Sequence, residues 1–179
     1  RDIKLRQNQL KGADFSNVDF SNVDLTNVDL SFTNLSSTDL SNKNLQYTFL
    51  HKSNLSGANL SKSNLENGFL YGVDLRNTDL SFASLVSIDF SMIKNKDLET
   101  ANIKGSAMSH TNLRGVILPD QMEAVNFSKA NMNSVDLSNK KIIGSVFYNT
   151  EMQNVNLQNL DFSDEIKQIT LNDFGPYPP

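Results

Sequence analysis

The chain of 179 residues contains no cysteine, and only two of its residues are histidine. Without cysteine, disulfides and thiolate metal sites are excluded, and the redox compartment stays open. No apolar run approaches the roughly 20 residues of a membrane-spanning helix, so we expect no membrane span. The net charge of −4 is small, which argues against direct nucleic-acid binding. No nucleophile or phosphate-binding motif is visible, so we expect neither an enzyme nor a cofactor or metal site.

Leucine or phenylalanine recurs at every fifth position in the first half of the chain. The series runs without exception from Leu5 to Phe90, and we call these the central positions. Two residues before each central position stands a small or β-branched residue in most units. The residue directly before the central one, which we call the slot position, is usually Asp or Asn. Two polar residues complete each unit.

A period of five fits neither a continuous helix nor a continuous strand. On a helix successive leucines would rotate around the axis, and on a strand they would alternate between faces. Within one unit, however, Val23 and Leu25 face the same side of an extended segment, and Asp24 faces the other. Thr26 and Asn27 are turn-forming residues. A corner of about 90° at each turn would close a square every twenty residues, with coils stacked at about 4.8 Å.

These units resemble the pentapeptide repeat family, whose pattern is A(D/N)LXX. The resemblance implies an all-β fold, a right-handed quadrilateral (square) β-helix, and it extends over residues 1–162. At four units per coil we expect about eight coils. The resemblance also introduces a second function class, because family members of the quinolone-resistance type mimic DNA and bind type II topoisomerases.

The five-residue register breaks near residues 91–97 and again near 119–121. The sequence SMIKNK predicts a bulge of three extra residues. The segment around Pro119 predicts the loss of one residue at a corner, where the missing N–H of proline is tolerated. Lys43 and Lys140 stand where a small inward-facing residue is expected. Because a buried, unpaired ammonium is costly, we expect local distortion there or lysines that turn outward.

Residues 163–179 no longer follow the repeat. Ser163 is followed by two acidic residues, a helix-start pattern, so we predict a short C-terminal capping helix at about 164–171. The Pro-rich tail after it would serve as a linker or docking arm, and this segment could form a homodimer contact. Because the chain begins with Arg1, we expect a fragment or processed form of a soluble protein, either cytoplasmic or secreted.

Two slot positions hold phenylalanine instead of Asp or Asn. Phe49 and Phe69 are twenty residues apart, so twenty-residue coils would place them side by side on one outer face. His51 and Tyr71 are also twenty residues apart and would lie beside them. Three further residues would form the rim of the same surface: Phe32, Tyr47 and Met92.

We predict that these seven residues bind a protein partner. Each large aromatic side chain can bury about 150–250 Å², so two Phe and a Tyr offer roughly 500 Å². That area is enough for a hot spot within an interface of about 800 Å² per partner. A stacked flat face is not concave, so we expect no pocket there. Stacking of the two rings on each other and self-association are the alternatives.

The leading functional interpretation is a non-enzymatic protein-interaction or scaffold module that uses an outer face of the β-helix; its partner is unidentified. A DNA mimic would need a dense acidic surface, yet residues 43–66 contain Lys43, Lys52 and Lys62 against the single acidic residue Glu66. A targeting domain of a secreted bacterial effector is a third interpretation, to which the Pro-rich end is suited.

Overall fold

Parallel β-bridges between residues twenty positions apart define the fold in the computed structural model, which describes residues 10–162. The bridges join slot residues, for example Asn34 to Asn54 and Asn54 to Asp74. A two-residue turn follows most central residues, so one regular coil of twenty residues contains four slot positions. Each coil therefore stacks on the one before it, and the chain forms a β-helix.

The interior is a continuous stack of central residues. Every central Leu, Phe, Ile or Met from Phe20 to Phe147 is at most 4% exposed. The small residues two positions earlier, such as Ala58 and Val73, are buried beside them. The alternation of inward and outward residues in each short extended segment therefore places the core on the axis and the slot side chains outside.

The slot side chain also closes the turn that follows it. Its Oδ1 atom accepts the backbone N–H two residues later, at 3.0 Å from Asn54 to Ser56 and at 2.9 Å from Asp79 to Ser81. At Asp39 the Ser41 backbone N–H lowers the pKa of the carboxyl below its ordinary value. Asp and Asn make this turn better than other residues, because their short side chains reach the backbone two positions on. The slot pattern thus has a conformational cause.

The spacing of the bridges changes twice along the chain. Bridged residues are 20 apart from Asn64 to Ser84, 23 apart from Asp79 to Asn102, and 19 apart from Asn112 to Asn131. Two 3₁₀ turns, Phe90–Met92 and Lys94–Lys96, contain the three additional residues. Two short parallel strands, β1 (Gln121–Glu123) and β2 (Lys141–Ile143), pair with Gln121 opposite Lys141.

A buried carboxylate attaches the three-residue insertion to the preceding coil. Asp74 accepts Arg76 Nε at 2.9 Å and Arg76 Nη2 at 2.6 Å, and Lys94 Nζ donates to it at 2.8 Å. The hydrogen bonds from Arg76, and then those from Lys94, hold the pKa of Asp74 well below its ordinary value. Lys94 belongs to the insertion. Its contact with Asp74 therefore holds the two 3₁₀ turns, which include Met92, against the preceding coil.

We expect acid to weaken the fold partly through Asp74. A depressed pKa means that this carboxylate stabilises the fold fully above its ordinary value of 3.8 and loses that contribution as the pH falls through its folded value. Asp74→Asn should therefore be less stable at neutral pH and should flatten the decline in unfolding free energy between about pH 4 and pH 2. Urea unfolding at several pH values measures this decline. Glu99→Gln, which changes an exposed carboxylate, is the control. An unchanged decline would contradict the role of Asp74.

The two lysines at inward positions are paired through backbone carbonyls. Lys140 is buried, and its Nζ donates to the carbonyl of Leu118 at 2.9 Å. Lys43 is half-buried and donates to the carbonyl of Ser21 at 2.8 Å. The expectation of an outward-turning lysine is therefore wrong at Lys140, because a carbonyl of the preceding coil accepts its ammonium. The predicted helix at 164–171 lies outside the described residues.

Candidate functional site

The structure brings Phe49 and Phe69 into direct contact on the outside of the β-helix. The two residues form a parallel bridge, their ring centroids are 4.7 Å apart, and the ring planes differ by 6°. Phe69 is 44% exposed and Phe49 is half-buried. The stacking distance matches the separation of neighbouring coils, as expected for identical side chains on adjacent strands.

His51 and Tyr71 lie beside the stacked rings, each at the first residue of the following turn. The centroid of the His51 ring is 6.2 Å from that of Phe49, 6.3 Å from that of Phe69 and 6.3 Å from that of Tyr71. His51 Nδ1 is buried and has no hydrogen-bond partner among the described residues. We call these four residues, together with Phe32, Tyr47 and Met92, the aromatic face.

Two lysines border the aromatic face. Lys11 Nζ lies 4.5 Å from the centre of the Phe32 ring, and Lys52 Nζ lies 5.9 Å from the same ring. Lys52 Nζ is also 6.0 Å from the centre of the Tyr71 ring. Such cation–π contacts contribute about 0.5–1 kcal/mol at exposed sites. The face thus has an apolar centre and a cationic edge.

The face is concave on the side of Tyr47 and Met92. Tyr47, His51, Phe69 and Tyr71 line an open depression of about 420 Å³, with Met92 at one end. Five residues that the sequence did not indicate as part of the site also line it: Asn67, Gly68, Leu70, Ser87 and Asp89. The expectation of a flat face without a concavity is therefore wrong.

The repeat units match a family model over more than half of the chain. The model for pentapeptide repeats matches residues 5–42, 53–91 and 130–164, in eight copies. The chain belongs to the pentapeptide repeat family. Family membership, together with the parallel bridges between coils, identifies the fold as a right-handed β-helix.

Three solved pentapeptide repeat proteins are similar to the chain. HetL, involved in heterocyst differentiation regulation in Nostoc sp. strain PCC 7120, is 21% identical over 85% of this chain and 84% of its own, with a TM-score of 0.31. QnrB1, a plasmid-mediated fluoroquinolone resistance protein, is 16% identical over 86% and 87%, with a TM-score of 0.37. A thylakoid lumen protein of Arabidopsis thaliana is 19% identical over 76% and 72%, with a TM-score of 0.26. No curated protein sequence matches the chain.

The family match is interrupted at the aromatic face and at the changes in register. Residues 43–52, which include Tyr47, Phe49 and His51, lie outside the matched ranges. Residues 92–129, which contain most of the insertion and the one-residue loss, also lie outside them. Four of the seven residues of the aromatic face therefore lie outside the family match: Tyr47, Phe49, His51 and Met92.

The aromatic slots lack the hydrogen bond that a pentapeptide repeat normally makes. Phenylalanine has no acceptor for the backbone N–H two residues later, so Phe49 and Phe69 do not close the turns at His51 and Tyr71. Each missing hydrogen bond is worth about 0.5–1.5 kcal/mol. One aromatic stack contributes about the same amount beyond its burial. Two missing hydrogen bonds amount to about 1–3 kcal/mol and the single stack to about half of that, so the stacking energy alone gives little reason for the two phenylalanines.

Two rim residues also occupy a strained backbone position. Phe32 and Tyr47 have φ angles of +61° and +57°, in the left-handed region. Other units often place Asn or Gly at the same turn position, as at Asn67 and Gly72. A side chain without the local hydrogen bonding of Asn costs roughly 1–2 kcal/mol there. Ser, Lys and His occupy the same position in other units, so this backbone belongs to the turn of the repeat and does not by itself mark the rim as functional.

We expect Tyr47→Asn to stabilise the fold by about 0.5–1 kcal/mol, because Asn tolerates the left-handed backbone better than Tyr. The matched control is Asn67→Tyr, since Asn67 is the equivalent residue of the next coil and its φ is also +57°. That variant should lose a similar amount. Thermal and urea unfolding measure both changes, and a less stable Tyr47→Asn would remove the argument from strain.

One exposed aromatic outside the face has a packing role. Phe82 is 56% exposed, and a Cβ added at Gly105 of the next coil would lie 2.5 Å from its ring. The ring therefore lies against the backbone of Gly105. Phe82 shares the residue type, the exposure and the left-handed backbone of the rim without belonging to the aromatic face, so it is the natural control for binding experiments.

Across residues 10–162, no cluster of His, Asp or Glu is arranged to hold a metal ion. In the same range, no helix is long and apolar enough to cross a membrane. The arrangement of the aromatic face offers stacking, apolar contact and cationic edges, which are the interactions of a recognition surface.

Proposed function

We propose that the protein is a non-enzymatic binding module and that its aromatic face docks a protein partner. The observation that carries this proposal is the pair of stacked phenylalanines in slots where Asp or Asn usually closes a turn. They give up two turn hydrogen bonds and leave Phe69 nearly half exposed. A partner that covers the rings would recover the apolar area, and burial returns about 25 cal/mol per Å².

The composition of the face supports this role. Tyrosine is enriched among the residues that dominate binding energy, and methionine and other aromatic residues are enriched in interfaces. Because Phe69 and Tyr71 are about half exposed and Phe49 is less exposed, the three rings still offer roughly 200 Å², which would form the centre of an interface of ordinary size. The depression beside Phe69 would accept one projecting side chain of the partner.

The decisive variant is Phe49→Asn together with Phe69→Asn. Asn is a residue that the slot normally holds, so both turns regain an acceptor and the fold is retained. A pull-down from the source organism identifies the partner, and titration calorimetry with the purified partner then measures affinity. We expect at least a 30-fold loss, which corresponds to about 2 kcal/mol.

Phe82→Asn is the control, because it removes an exposed phenylalanine outside the face. An equal loss of affinity in the control, or none in the double variant, would overturn the proposal. Sedimentation of the double variant separates self-association: a change in mass without a change in partner binding would assign the face to contact between copies. A change in stability alone would mean that the rings only stack on each other.

The surface around the face does not favour the DNA-mimic interpretation. Lys11 and Lys52 lie against its rings, whereas a mimic of DNA needs closely spaced negative charge. Capture of a type II topoisomerase to the same extent by the wild type and by the double variant would favour the mimic. No observation in residues 10–162 favours the targeting domain of an effector.

We also propose a quadrilateral cross-section, about eight coils and a capping helix at 164–171. Four slot positions in each twenty-residue coil support the first two proposals. The last described coil supports the third, because Leu157 and Phe162 are exposed at an end that an apolar helix face would cover. A homodimer through residues 163–179 would use the same end of the molecule.

A further inference from the structure

The depression of the aromatic face lies at an interruption in the ladder of bridges between coils. In this slot column Phe49 is bridged to Phe69, and Asp89 is bridged to Asn112. Within residues 10–162, however, no bridge joins Phe69 to Asp89. The regular pairing of neighbouring coils is therefore open at the point where the second aromatic slot meets the next aspartate.

The opening is local, because the turns on both sides of it remain hydrogen-bonded. Before the gap, Asn67 N–H donates to a carbonyl of the next coil at 3.1 Å, and after it Gly72 N–H does so at 2.7 Å. Inside the gap, the Gly68 carbonyl accepts no hydrogen bond from the described part of the chain, whereas the equivalent Thr48 carbonyl accepts Phe69 N–H at 3.0 Å. The gap thus has fixed edges and offers a backbone acceptor.

One face of the Phe69 ring is open to this gap. Its other face lies against Phe49 of the preceding coil, with the ring centroids 4.7 Å apart and the planes 6° from parallel. The open face therefore points along the column towards the coil of Asp89. Within residues 10–162, the cation–π contacts of the bordering lysines involve other rings. Phe69 thus presents an uncovered aromatic surface.

The depression has an acidic end. Asp89 is the one carboxylate among the described residues that line it, and this lining contains neither lysine nor arginine. The Oδ1 atom of Asp89 accepts Ser91 N–H at 3.0 Å and the Ser91 hydroxyl at 2.6 Å. Its second oxygen, Oδ2, has no hydrogen-bond partner in residues 10–162. An aromatic surface next to an available carboxylate oxygen attracts a cation.

A guanidinium is better matched to these groups than an ammonium. It is planar, so it can stack on the Phe69 ring, and its five N–H donors can reach a carboxylate and a carbonyl together. An ammonium is a compact point charge without a stacking surface. We propose that the partner inserts an arginine side chain into the depression, where the guanidinium stacks on Phe69 and donates to Asp89 and the Gly68 carbonyl. This inference rests on the proposed function, since it names the side chain that the partner contributes.

Titration of the full-length, isotope-labelled protein with N-acetylarginine amide tests the site without the partner. N-acetylcitrulline amide is the matched probe, because it keeps the shape of arginine and lacks the charge. N-acetyllysine amide, acetylated on its α-amino group, carries the charge without the plane. We expect the amide NMR signals of Gly68, Leu70 and Asp89 to shift with the arginine probe. The citrulline probe should bind about tenfold more weakly, the difference between a charged and a neutral hydrogen bond, and the lysine probe should also bind more weakly.

Asp89→Asn removes the charge and retains the turn, because Asn also closes turns at slot positions. We expect the arginine probe to bind this variant about tenfold more weakly and the citrulline probe to bind it unchanged. Asp79→Asn is the matched control. Asp79 is a slot aspartate of another column and accepts Ser81 N–H at 2.9 Å in the same way. This control should bind both probes like the wild type.

Three results would overturn the inference. The first is an absence of shifts at the three amides. The second is equal affinity of the arginine probe and either of the other two probes, since the site would then not select a guanidinium. The third is an equal loss in Asp79→Asn and Asp89→Asn, which would mean that only the net charge of the protein matters.

The inference and the proposed function fail separately, because the titration contains no partner. If arginine and citrulline bind equally while Phe49→Asn/Phe69→Asn still weakens partner binding, the face docks a partner and only the arginine is wrong. If the arginine probe binds as expected while the double variant leaves partner affinity unchanged, the guanidinium site stands and the partner docks elsewhere.

Discussion

A Leu55→Asp variant is expected to lose about 4 kcal/mol or more of its unfolding free energy. Leu55 is fully buried in the stack of central residues, between coils whose neighbouring central residues are also buried. The stack offers an aspartate no cation there, so the charge would be buried without compensation or would force the coil open. Urea unfolding followed by circular dichroism measures the loss.

The matched control changes the adjacent residue, Asn54→Ala. Its side chain accepts the Ser56 N–H at 3.0 Å and donates to Asn34 Oδ1 at 3.4 Å, but it lies outside the core. We expect a loss of about 1 kcal/mol, typical of one net hydrogen bond. Equal losses of stability for the two variants would contradict the assignment of Leu55 to the inside and Asn54 to the outside of the β-helix.

Phe127→Ala is expected to cost about 3–5 kcal/mol. Phe127 is fully buried and stacks on Phe147, with ring centroids 5.2 Å apart and an interplanar angle of 23°. Removal of the ring would leave a cavity that the stacked coils cannot close, because each coil is held by its bridges to both neighbours.

Phe69→Ala gives the comparison for Phe127, since it removes the same side chain from a stack of the same twenty-residue spacing. Phe69 lies outside and is partly exposed, so we expect a loss of about 1 kcal/mol, within the range of one aromatic stack. A loss at Phe69 as large as that at Phe127 would mean that the outer stack is a structural element, and it would weaken the case for a binding face.

Much of the fold could be predicted because the repeat couples sequence distance to position. Once Val23 and Leu25 face one side and a turn follows, every residue has its neighbour twenty positions later. The contact between Phe49 and Phe69 follows from this rule without any coordinates, and the stacked rings confirm that the two are neighbours. Membership of the pentapeptide repeat family was equally visible in the pattern.

The features that could not be predicted depend on which side-chain atoms reach which neighbouring groups, and the position of a residue in the repeat does not determine this. The use of slot carboxylates and amides to close turns depends on Oδ1 reaching the N–H two residues later, as at Asn54. The burial of Lys140 depends on the carbonyl of Leu118 being within reach of its ammonium. The depression beside Phe69 depends on how the side chains of Tyr47, Phe69 and Tyr71 are placed around it. A periodic pattern shows which residues are neighbours, but it does not show side-chain reach.

Because the spacing of the bridges changes along the chain, the coils contain different numbers of residues. Each would release a different length of extended chain if the molecule were pulled from its two ends. Pulling at the two ends would peel the molecule apart one coil at a time, because each coil is bridged only to its neighbours. A twenty-residue coil would release about 66–72 Å of extended chain. The coil with 23 residues would release roughly 10 Å more, and one with 19 about 3 Å less. The two irregularities therefore mark two positions along an otherwise uniform repeat, and the first of them, the three-residue insertion, adjoins the aromatic face.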